Sequence, residues 1–545
     1  MGTRKFRAPD FTFVLVFLSQ FGLLGLMMRL DPDPHHDGIL YGAAVSVSNN
    51  GFPNRDTFAQ YGPLIPELQG LWLRIFGPSL FNIRLQALFV MVIASICIWH
   101  VAKFYVSRRL AYLISSSWVL TIPSVLPWPT AYTTLVSILS LLLMLDLKTN
   151  SLHSNRFMIF SASSLIAIGT FGRIHLFAIF FLVLVYIVFS SDQRSKVKYW
   201  VAGFVITSFT ILLFLQLNGA LGEFITQCIS WPLLHYGSPD FNKSYIIGLF
   251  WYPVIAISLL MLIVITWWLK SRSFPKFFIF AFPLFIFISL FFISRIERTG
   301  YLSLRNPRVM LIDYSKNMMN SLDYAAAFFM ILSTFFLLLK VKQVKSYVAI
   351  SILYSTGILA QLYPLYDVNH LWLIAPLLII SSLVTIGNSE MFIKYIKPNI
   401  SSVLLGLLVA LALQIWSTTS IPRVSFESPS LRGMLAPPAF ATQLDSTMLK
   451  LEKYAKPGST AFNCVNGIYS GAGGNYLASS RQFVSWGPDA ELAKTGNQVF
   501  LCAVTDATID EYVSDGYTVI FKDPLTLFGE SQPRGYWNIL LTKFP

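Results

Sequence analysis

The chain has 545 residues, of which 55% are hydrophobic and only 12% are charged, and its mean hydropathy is +0.61. This composition excludes a soluble globular protein and indicates a polytopic membrane protein. The net charge of +14 does not indicate nucleic-acid binding, because residues 417–545 contain ten basic and eleven acidic side chains, so the positive excess belongs to the apolar part.

Thirteen apolar segments predict membrane spans, and the first, 11–29, follows a basic N-terminus. No small-residue cleavage site follows it, which argues against a signal peptide. The other spans are predicted near 83–100, 110–127, 131–147, 157–172, 174–190, 199–216, 246–269, 277–294, 323–340, 346–363, 371–387 and 401–416. The short inner loops are basic, whereas the outer turns 123–130 and 364–370 lack Lys and Arg, so the pattern predicts a cytoplasmic N-terminus.

The first outer loop, residues 30–82, begins with three carboxylates and two imidazoles within seven residues. It opens with Asp31-Pro32-Asp33-Pro34-His35-His36-Asp37, in which the prolines end the span and keep the segment extended. A short helix is predicted next, followed by a turn that contains Asp56 and by Gly62-Pro63-Leu64. Charge beside a bilayer is costly unless it does chemistry or binds a ligand, so the loop is predicted to form an active site. A solvated interhelical loop is the alternative.

Other polar residues fall on the same predicted face. They are Arg173 and His175 in a short turn, Arg305 and Arg308 in the loop 295–322, and Asp367 and His370 three residues apart. Arginines in an outer loop depart from the positive-inside pattern and suggest an anionic ligand such as phosphate. The alternatives are contact with lipid headgroups for the arginines of the loop 295–322, extension to the membrane interface for Arg173 and His175, and a helix-end polar role for His370.

From Ser417 onward, polar and apolar residues mix as in a water-soluble fold. The pattern predicts a helix over 442–455, strands over 498–504 and 517–522, and a helix over 508–515 between them. Residues 417–545 are therefore predicted to form a small outer α/β domain, and residues 1–416 the membrane domain. Cys464 and Cys502 are the only cysteines of the outer domain, and an oxidising compartment would allow them to pair.

The first outer loop resembles the start of GT-C-fold glycosyltransferases that use polyprenyl-phosphate sugars, of the family 39 type that includes protein O-mannosyltransferases and the lipid A aminoarabinose transferase. In that pattern an acidic pair precedes a Tyr and a Pro-Pro-Leu, and the matching positions here are Asp37-Gly38, Tyr41 and Gly62-Pro63-Leu64. Gly38 replaces the second acid, which leaves a second carboxylate to Asp33 or Asp56.

The resemblance implies a GT-C-like membrane domain of about 13 spans in the bacterial inner membrane, with an extracytoplasmic active site. It also implies transfer of a sugar from a polyprenyl-phosphate donor to a glycan, lipid or protein acceptor. Such a reaction needs a base for the acceptor hydroxyl and positive charge for the leaving phosphate. The candidate catalytic residues are Asp37 as the base, with Asp56 and His36. The candidate substrate-binding residues are Arg173, His175, Arg305, Arg308, Tyr61, Asp367 and His370.

A divalent cation held by Asp37, Asp56 and a His is the one cofactor considered, because hard cations favour oxygen ligands. Asp56 could instead only fix its own turn. Three other classes remain open, namely a polymerase or ligase of lipid-linked glycans, a flippase or transporter, and a membrane scaffold. The sequence has no phosphate-binding or dinucleotide-binding glycine motif, and its polar groups collect at one face rather than at mid-membrane depth, which favours surface chemistry over transport.

Overall fold

The computed structural model describes residues 11–33, 36–121, 125–153, 155–230, 232, 345–362, 368–386, 422–456, 460–463, 467–474, 497–524 and 536–543. Within these ranges the chain forms a bundle of apolar helices followed by a smaller α/β unit. Four of the predicted spans, 246–269, 277–294, 323–340 and 401–416, lie outside the described residues.

Twelve helices precede the α/β unit in the described part of the chain. They are α1 (Phe11–Met27), α2 (His36–Ser48), α3 (Leu64–Phe76), α4 (Leu80–Ala102), α5 (Arg108–Thr121), α6 (Pro129–Met144), α7 (Arg156–Thr170), α8 (Phe177–Phe189), α9 (Val197–Leu217), α10 (Leu221–Ile225), α11 (Ser346–Ile358) and α12 (Val368–Ile386). The remaining nine predicted spans coincide with α1, α4 to α9, α11 and α12, whereas α3 lies in a segment with no predicted helix.

The surface of the bundle is apolar, as expected for helices that face lipid. Among the described residues, the segments Leu80–Ala102 and Arg194–Leu217 are long and apolar enough to cross a membrane, and six further apolar helices are shorter. Leu18 and Leu26 of α1 and Phe209 and Leu217 of α9 are more than half exposed. Water would not favour such a surface, whereas lipid tails would.

The turns that the charge pattern predicts to be outer lie at one end of the bundle. There the Leu64 backbone N–H donates to the Phe171 carbonyl (3.2 Å), beyond the end of α7. Gly62 has a φ of +118°, and a Cβ at this position would overlap the Phe171 carbonyl oxygen. The Gly-Pro step is therefore glycine-dependent for two reasons, its backbone conformation and its close approach to the α7–α8 turn.

A π-helical turn, Thr226–Ser230, fixes the middle of the first outer loop. The Gln227 side chain accepts from Asn54 Nδ2 (2.9 Å) and from the Ala59 backbone N–H (3.0 Å), and it donates to the Asn54 carbonyl (2.9 Å). Both amide side chains are buried. The loop is thus tied to the end of α9 and α10, so that its turns occupy defined positions beside the bundle.

The C-terminal unit contains α13 (Pro438–Tyr454) and α14 (Asp506–Ser514). Two short strand pairs come earlier in the chain: β1 (Leu145–Asp146) with β2 (Ser151–Leu152), and β3 (Val424–Ser425) with β4 (Leu435–Ala436). The strands of the C-terminal sheet are β5 (Thr460–Asn463), β6 (Gln498–Val504), β7 (Thr518–Pro524) and β8 (Trp537–Thr542). The four-stranded sheet has the order β5-β6-β8-β7, with β5 parallel to β6 and the other pairs antiparallel. Alternating residues cover its two faces: Val499 and Leu501 pack towards α14, and Phe500 lies in a separate core.

That second core is shared with the first outer loop. Tyr41 and Val45 of α2 pack in one hydrophobic cluster with Leu444 of α13 and with Ile468 and Phe500. Backbone hydrogen bonds join Asp31 N–H to the Leu435 carbonyl (2.8 Å) and Leu435 N–H to the Arg29 carbonyl (2.7 Å). The Arg423 guanidinium also pairs with Asp31 (2.9 and 2.7 Å). The C-terminal unit and the loop therefore form one packed body.

The cysteines divide by location. Cys97 and Cys228 are buried free thiols, and Cys502 is disulfide-bonded. Cys464 lies outside the described residues, so its pairing with Cys502 stays a prediction.

Candidate active site

A buried ion pair lies at the start of the first outer loop. Asp37 and Arg84 are both fully buried, and Arg84 contacts the two Asp37 oxygens through Nε (3.1 Å) and Nη2. Arg84 also donates to the carbonyls of Met28 (3.0 Å), Leu30 (2.7 Å) and Asp31 (3.2 Å). Burial raises the pKa of Asp37, and the Arg84 guanidinium opposes this shift. The pair fixes the end of α1 to the beginning of α2.

Asp37 in turn holds the segment before it. The Asp33 backbone N–H donates to Asp37 Oδ2 (2.7 Å). The Asp33 carboxylate accepts from the His36 backbone N–H (2.9 Å) and from His36 Nδ1 (2.7 Å). Unlike Asp37, these two side chains reach the surface, with 37% of Asp33 and 32% of His36 exposed.

An aromatic cluster extends from His36 towards the bundle. The His36 ring meets Trp128 edge-on, with centroids 5.0 Å apart, and Tyr61 meets Trp128 similarly at 5.1 Å. Trp128 Nε1 donates to Nε2 of His370 (2.8 Å), which is buried at the start of α12. The cluster brings together three of the predicted site residues, His36, Tyr61 and His370, and it also contains Trp128, which the sequence analysis did not single out.

Arg173 lies on the other side of Tyr61. Its guanidinium is over the Tyr61 ring, 5.4 Å from the centroid, and it donates to Thr130 Oγ1 and to the Gln361 carbonyl (2.5 Å). Only 2% of Arg173 is exposed. The side chain is therefore buried at the outer end of the bundle rather than extended into the interface, and it places a positive charge beside the aromatic cluster.

His175 borders an apolar cavity of about 750 Å³ between the α7–α8 turn, α8, α9 and α10. Five phenylalanines line its wall, namely Phe171, Phe177, Phe181, Phe204 and Phe224.

Asp56 fixes its own turn. Its carboxylate accepts from the Phe52 backbone N–H (2.8 Å) and pairs with Arg55 (2.6 Å), and the hydrogen bond from Arg55 lowers its pKa. Arg55 also donates to the Asn218 carbonyl (3.1 Å), beyond the end of α9. These contacts match the turn-fixing alternative for Asp56, and a catalytic role for it stays a prediction.

The structure brings most of the predicted loop residues together but leaves some predictions outside its range. Arg305, Arg308 and Asp367 lie outside the described residues, so their roles stay predictions. Arg84, which no motif indicated, emerges as the partner of Asp37. Its signal in the sequence was weak, because an Arg near the start of a span also fits an interfacial anchor.

The described residues do not fit a divalent cation held by Asp37 and Asp56. Both Asp37 oxygens contact Arg84, and Asp56 pairs with Arg55. In the described ranges no group of three or more His, Cys, Asp or Glu side chains is arranged to hold a metal ion.

Comparison with known proteins gives no match to a family model and none to a curated protein. Among solved structures, the chain is similar to ArnT from Cupriavidus metallidurans bound to undecaprenyl phosphate, with 11% identity, 97% of each chain covered and a TM-score of 0.47. It is similar to archaeal oligosaccharyltransferase AglB from Archaeoglobus fulgidus in complex with an inhibitory peptide and a dolichol-phosphate, with 13% identity, 96% of this chain and 74% of that chain covered, and a TM-score of 0.44. An Archaeoglobus fulgidus oligosaccharyltransferase complex with Zn and sulfate gives 12% identity, coverages of 90% and 68%, and a TM-score of 0.46.

Proposed function

We propose that the protein is an integral membrane glycosyltransferase that moves a sugar from a polyprenyl-phosphate donor to an acceptor at the outer face of the membrane. One observation carries the proposal. A single end of an apolar bundle places an acid–imidazole segment, a buried arginine and an apolar cavity next to one another. Transfer from a lipid-phosphate sugar needs a base for the acceptor hydroxyl, positive charge for the donor's phosphate and an apolar site for the donor's tail.

The cavity suits the tail of the donor. Phe177 and Phe181 of α8 and Phe204 of α9 line its wall, and its volume of about 750 Å³ is large enough for several isoprene units. The cavity lies among helices whose outer surfaces are apolar, so a lipid could enter from the bilayer.

Positive charge near the cavity suits the phosphate. Arg173 precedes His175 and is held in place by Thr130, Gln361 and Tyr61. In its low-dielectric position the guanidinium attracts an anion more strongly than a solvated arginine does. Arg305 and Arg308 are proposed as further phosphate contacts on the basis of the sequence alone.

The proposed reaction requires the base, the positive charge and the apolar cavity together. An acceptor oxygen attacks the anomeric carbon, the bond from this carbon to the phosphate oxygen breaks, and polyprenyl phosphate leaves with the electron pair. A base removes the acceptor proton, and cationic groups stabilise the charge on the departing phosphate. Asp37 remains the base proposed from the sequence, although in this structure it has no exposed atom and both of its oxygens contact Arg84.

Donor binding can be measured with undecaprenyl phosphate and undecaprenol as probes, using the purified protein in nanodiscs. The phosphate should improve affinity at least tenfold, and Arg173→Gln should remove most of that difference. Ala178→Trp, which fills the cavity, should weaken both lipids, whereas Ala202→Trp, on α9 outside the cavity lining, should not. Equal affinity for the two lipids in the wild type, together with unchanged envelope glycans by mass spectrometry in cells that lack the protein, would refute the function.

A further inference from the structure

We propose that His36, oriented by Asp33, accepts the proton of the acceptor hydroxyl, and that the buried Asp37–Arg84 pair positions this dyad. The inference rests on the proposed function and names the base within it. It differs from the assignment of Asp37 as the base, which the order of residues in the loop suggests.

The geometry of the dyad is that of an oriented imidazole. One Asp33 oxygen accepts from the His36 backbone N–H (2.9 Å) and caps the start of α2, and the other contacts His36 Nδ1 (2.7 Å). When Nδ1–H of the neutral ring donates to the Asp33 carboxylate, the lone pair of the ring lies on Nε2. A carboxylate that fixes the tautomer and stabilises the imidazolium is the arrangement by which a histidine becomes an effective base.

Accessibility distinguishes His36 from Asp37. About a third of the His36 side chain is exposed, whereas Asp37 is fully buried. A base must come within hydrogen-bond distance of the proton that it removes. The His36 side chain has exposed surface that an acceptor can approach. Asp37 would first have to break its contacts with Arg84 and with the Asp33 backbone.

The buried Asp37–Arg84 pair holds the Asp33–His36 dyad in position. Arg84 binds Asp37 with two donors and holds three carbonyls at the end of α1, and Asp37 accepts from the Asp33 backbone N–H (2.7 Å). Asp33 then holds His36. In this series of contacts each residue is positioned by the one before it. The buried contact between Asp37 and Arg84 therefore determines the position of the partly exposed His36 imidazole.

Groups from other elements complete the surroundings of His36. Trp128 meets its ring edge-on from α6 and is anchored on His370 of α12. Beyond Trp128 lie Tyr61 and the Arg173 guanidinium. The titratable and charged groups around His36 are thus Asp33 and Asp37 from its own segment, Arg84 from α4, His370 from α12, and Tyr61 with Arg173 towards the cavity.

In the reaction, His36 Nε2 takes the proton of the acceptor hydroxyl as the oxygen bonds to the anomeric carbon. The bond between this carbon and the phosphate oxygen breaks, and the polyprenyl phosphate leaves with the electron pair. The imidazolium is stabilised by Asp33 and later returns its proton to water. No oxidant, reductant or additional substrate is required.

The first test follows release of undecaprenyl phosphate from its glucose, galactose and mannose esters, with lipid extract of the producing cells as the acceptor. His36→Gln should lower turnover about 10²–10⁴-fold, the usual cost of losing a general base. His35→Gln, the matched change one residue earlier, should retain most of the rate. In Asp33→Asn the acid limb of the pH–rate profile should move to lower pH, because the imidazolium loses its carboxylate partner. A His36→Gln enzyme with wild-type rate and profile would refute the inference while leaving the proposed function intact.

The second test needs no donor and therefore separates the two proposals. Modification of His36 by diethylpyrocarbonate is followed by peptide mass spectrometry as a function of pH in the full-length protein. The pH at which His36 becomes protected should fall in Asp33→Asn and stay unchanged in Asp31→Asn. No difference between Asp33→Asn and the wild type would refute the dyad even if the protein transfers sugar. Absence of release by the wild type from all three donors, together with equal affinity for undecaprenyl phosphate and undecaprenol and unchanged envelope glycans, would refute the proposed function, and the base assignment with it.

Discussion

The Arg84→Met variant is expected to lose about 3–5 kcal/mol of stability, because it leaves the Asp37 carboxylate buried without a partner. Three carbonyl oxygens at the end of α1 would lose their donor as well. The measurement is the midpoint of thermal unfolding in detergent, together with the yield of monodisperse protein.

Two variants make this prediction specific. The double variant Arg84→Met, Asp37→Leu removes both charges and should recover a large part of the lost stability, since an apolar pair of similar volume often replaces a buried ion pair without loss. Arg55→Met breaks an ion pair whose side chains are 44% and 39% exposed, and it should cost no more than about 1 kcal/mol. If Arg84→Met and Arg55→Met had equal midpoints, the Asp37–Arg84 pair would not hold the loop.

The Gly471→Val variant is expected to separate α2 from the C-terminal unit. A Cβ at Gly471 would overlap the ring of Tyr41, and both residues are buried in the shared core. Overpacking of this kind typically costs about 1–3 kcal/mol, and here the displaced element begins with His36 and Asp37. Sugar transfer should therefore fall strongly, and limited proteolysis should cleave the junction between the bundle and the C-terminal unit more readily.

Gly22→Val is the matched control, because nothing lies within 4 Å of a Cβ at Gly22. It should leave both the cleavage pattern and the transfer rate close to those of the wild type. A Gly471→Val protein with wild-type cleavage and transfer would mean that α2 does not depend on the C-terminal unit.

Local sequence signals predicted the helices and strands well where hydrophobic periodicity was strong. The strand Gln498–Val504 has the predicted bounds, and α2 lies where a short helix was expected. Helix α3 was missed because Pro66 and Gly70 usually indicate a break. In the structure Pro66 lies in the first turn, where proline is tolerated, and Gly70 lets α3 approach Val47 of α2 closely.

Tertiary partners could not be predicted in this way. Arg84 pairs with Asp37, which lies 47 positions earlier in the chain. Trp128 donates to His370, which lies 242 positions later. The spacing of these residues does not indicate the pairs. Each of the four residues lies near the start of a different helix, and the sequence does not show which helix starts are adjacent. The same limit applies to Asp37. The sequence places it last in the acidic segment but does not show that it is buried, and its role as the base stays a prediction.

The core shared by α2 and the C-terminal unit has a consequence for biosynthesis. About 390 residues separate the end of α2 from the start of α13, and at usual rates of translation this distance corresponds to about 20–80 s. During that interval the face of α2 that carries Tyr41 and Val45 has no native partner, while the later helices are still being inserted. A nascent chain released before its last strand, β8, would thus carry an inserted bundle with an unfinished loop, which should make ribosome-stalled or truncated products preferred substrates of membrane quality-control proteases.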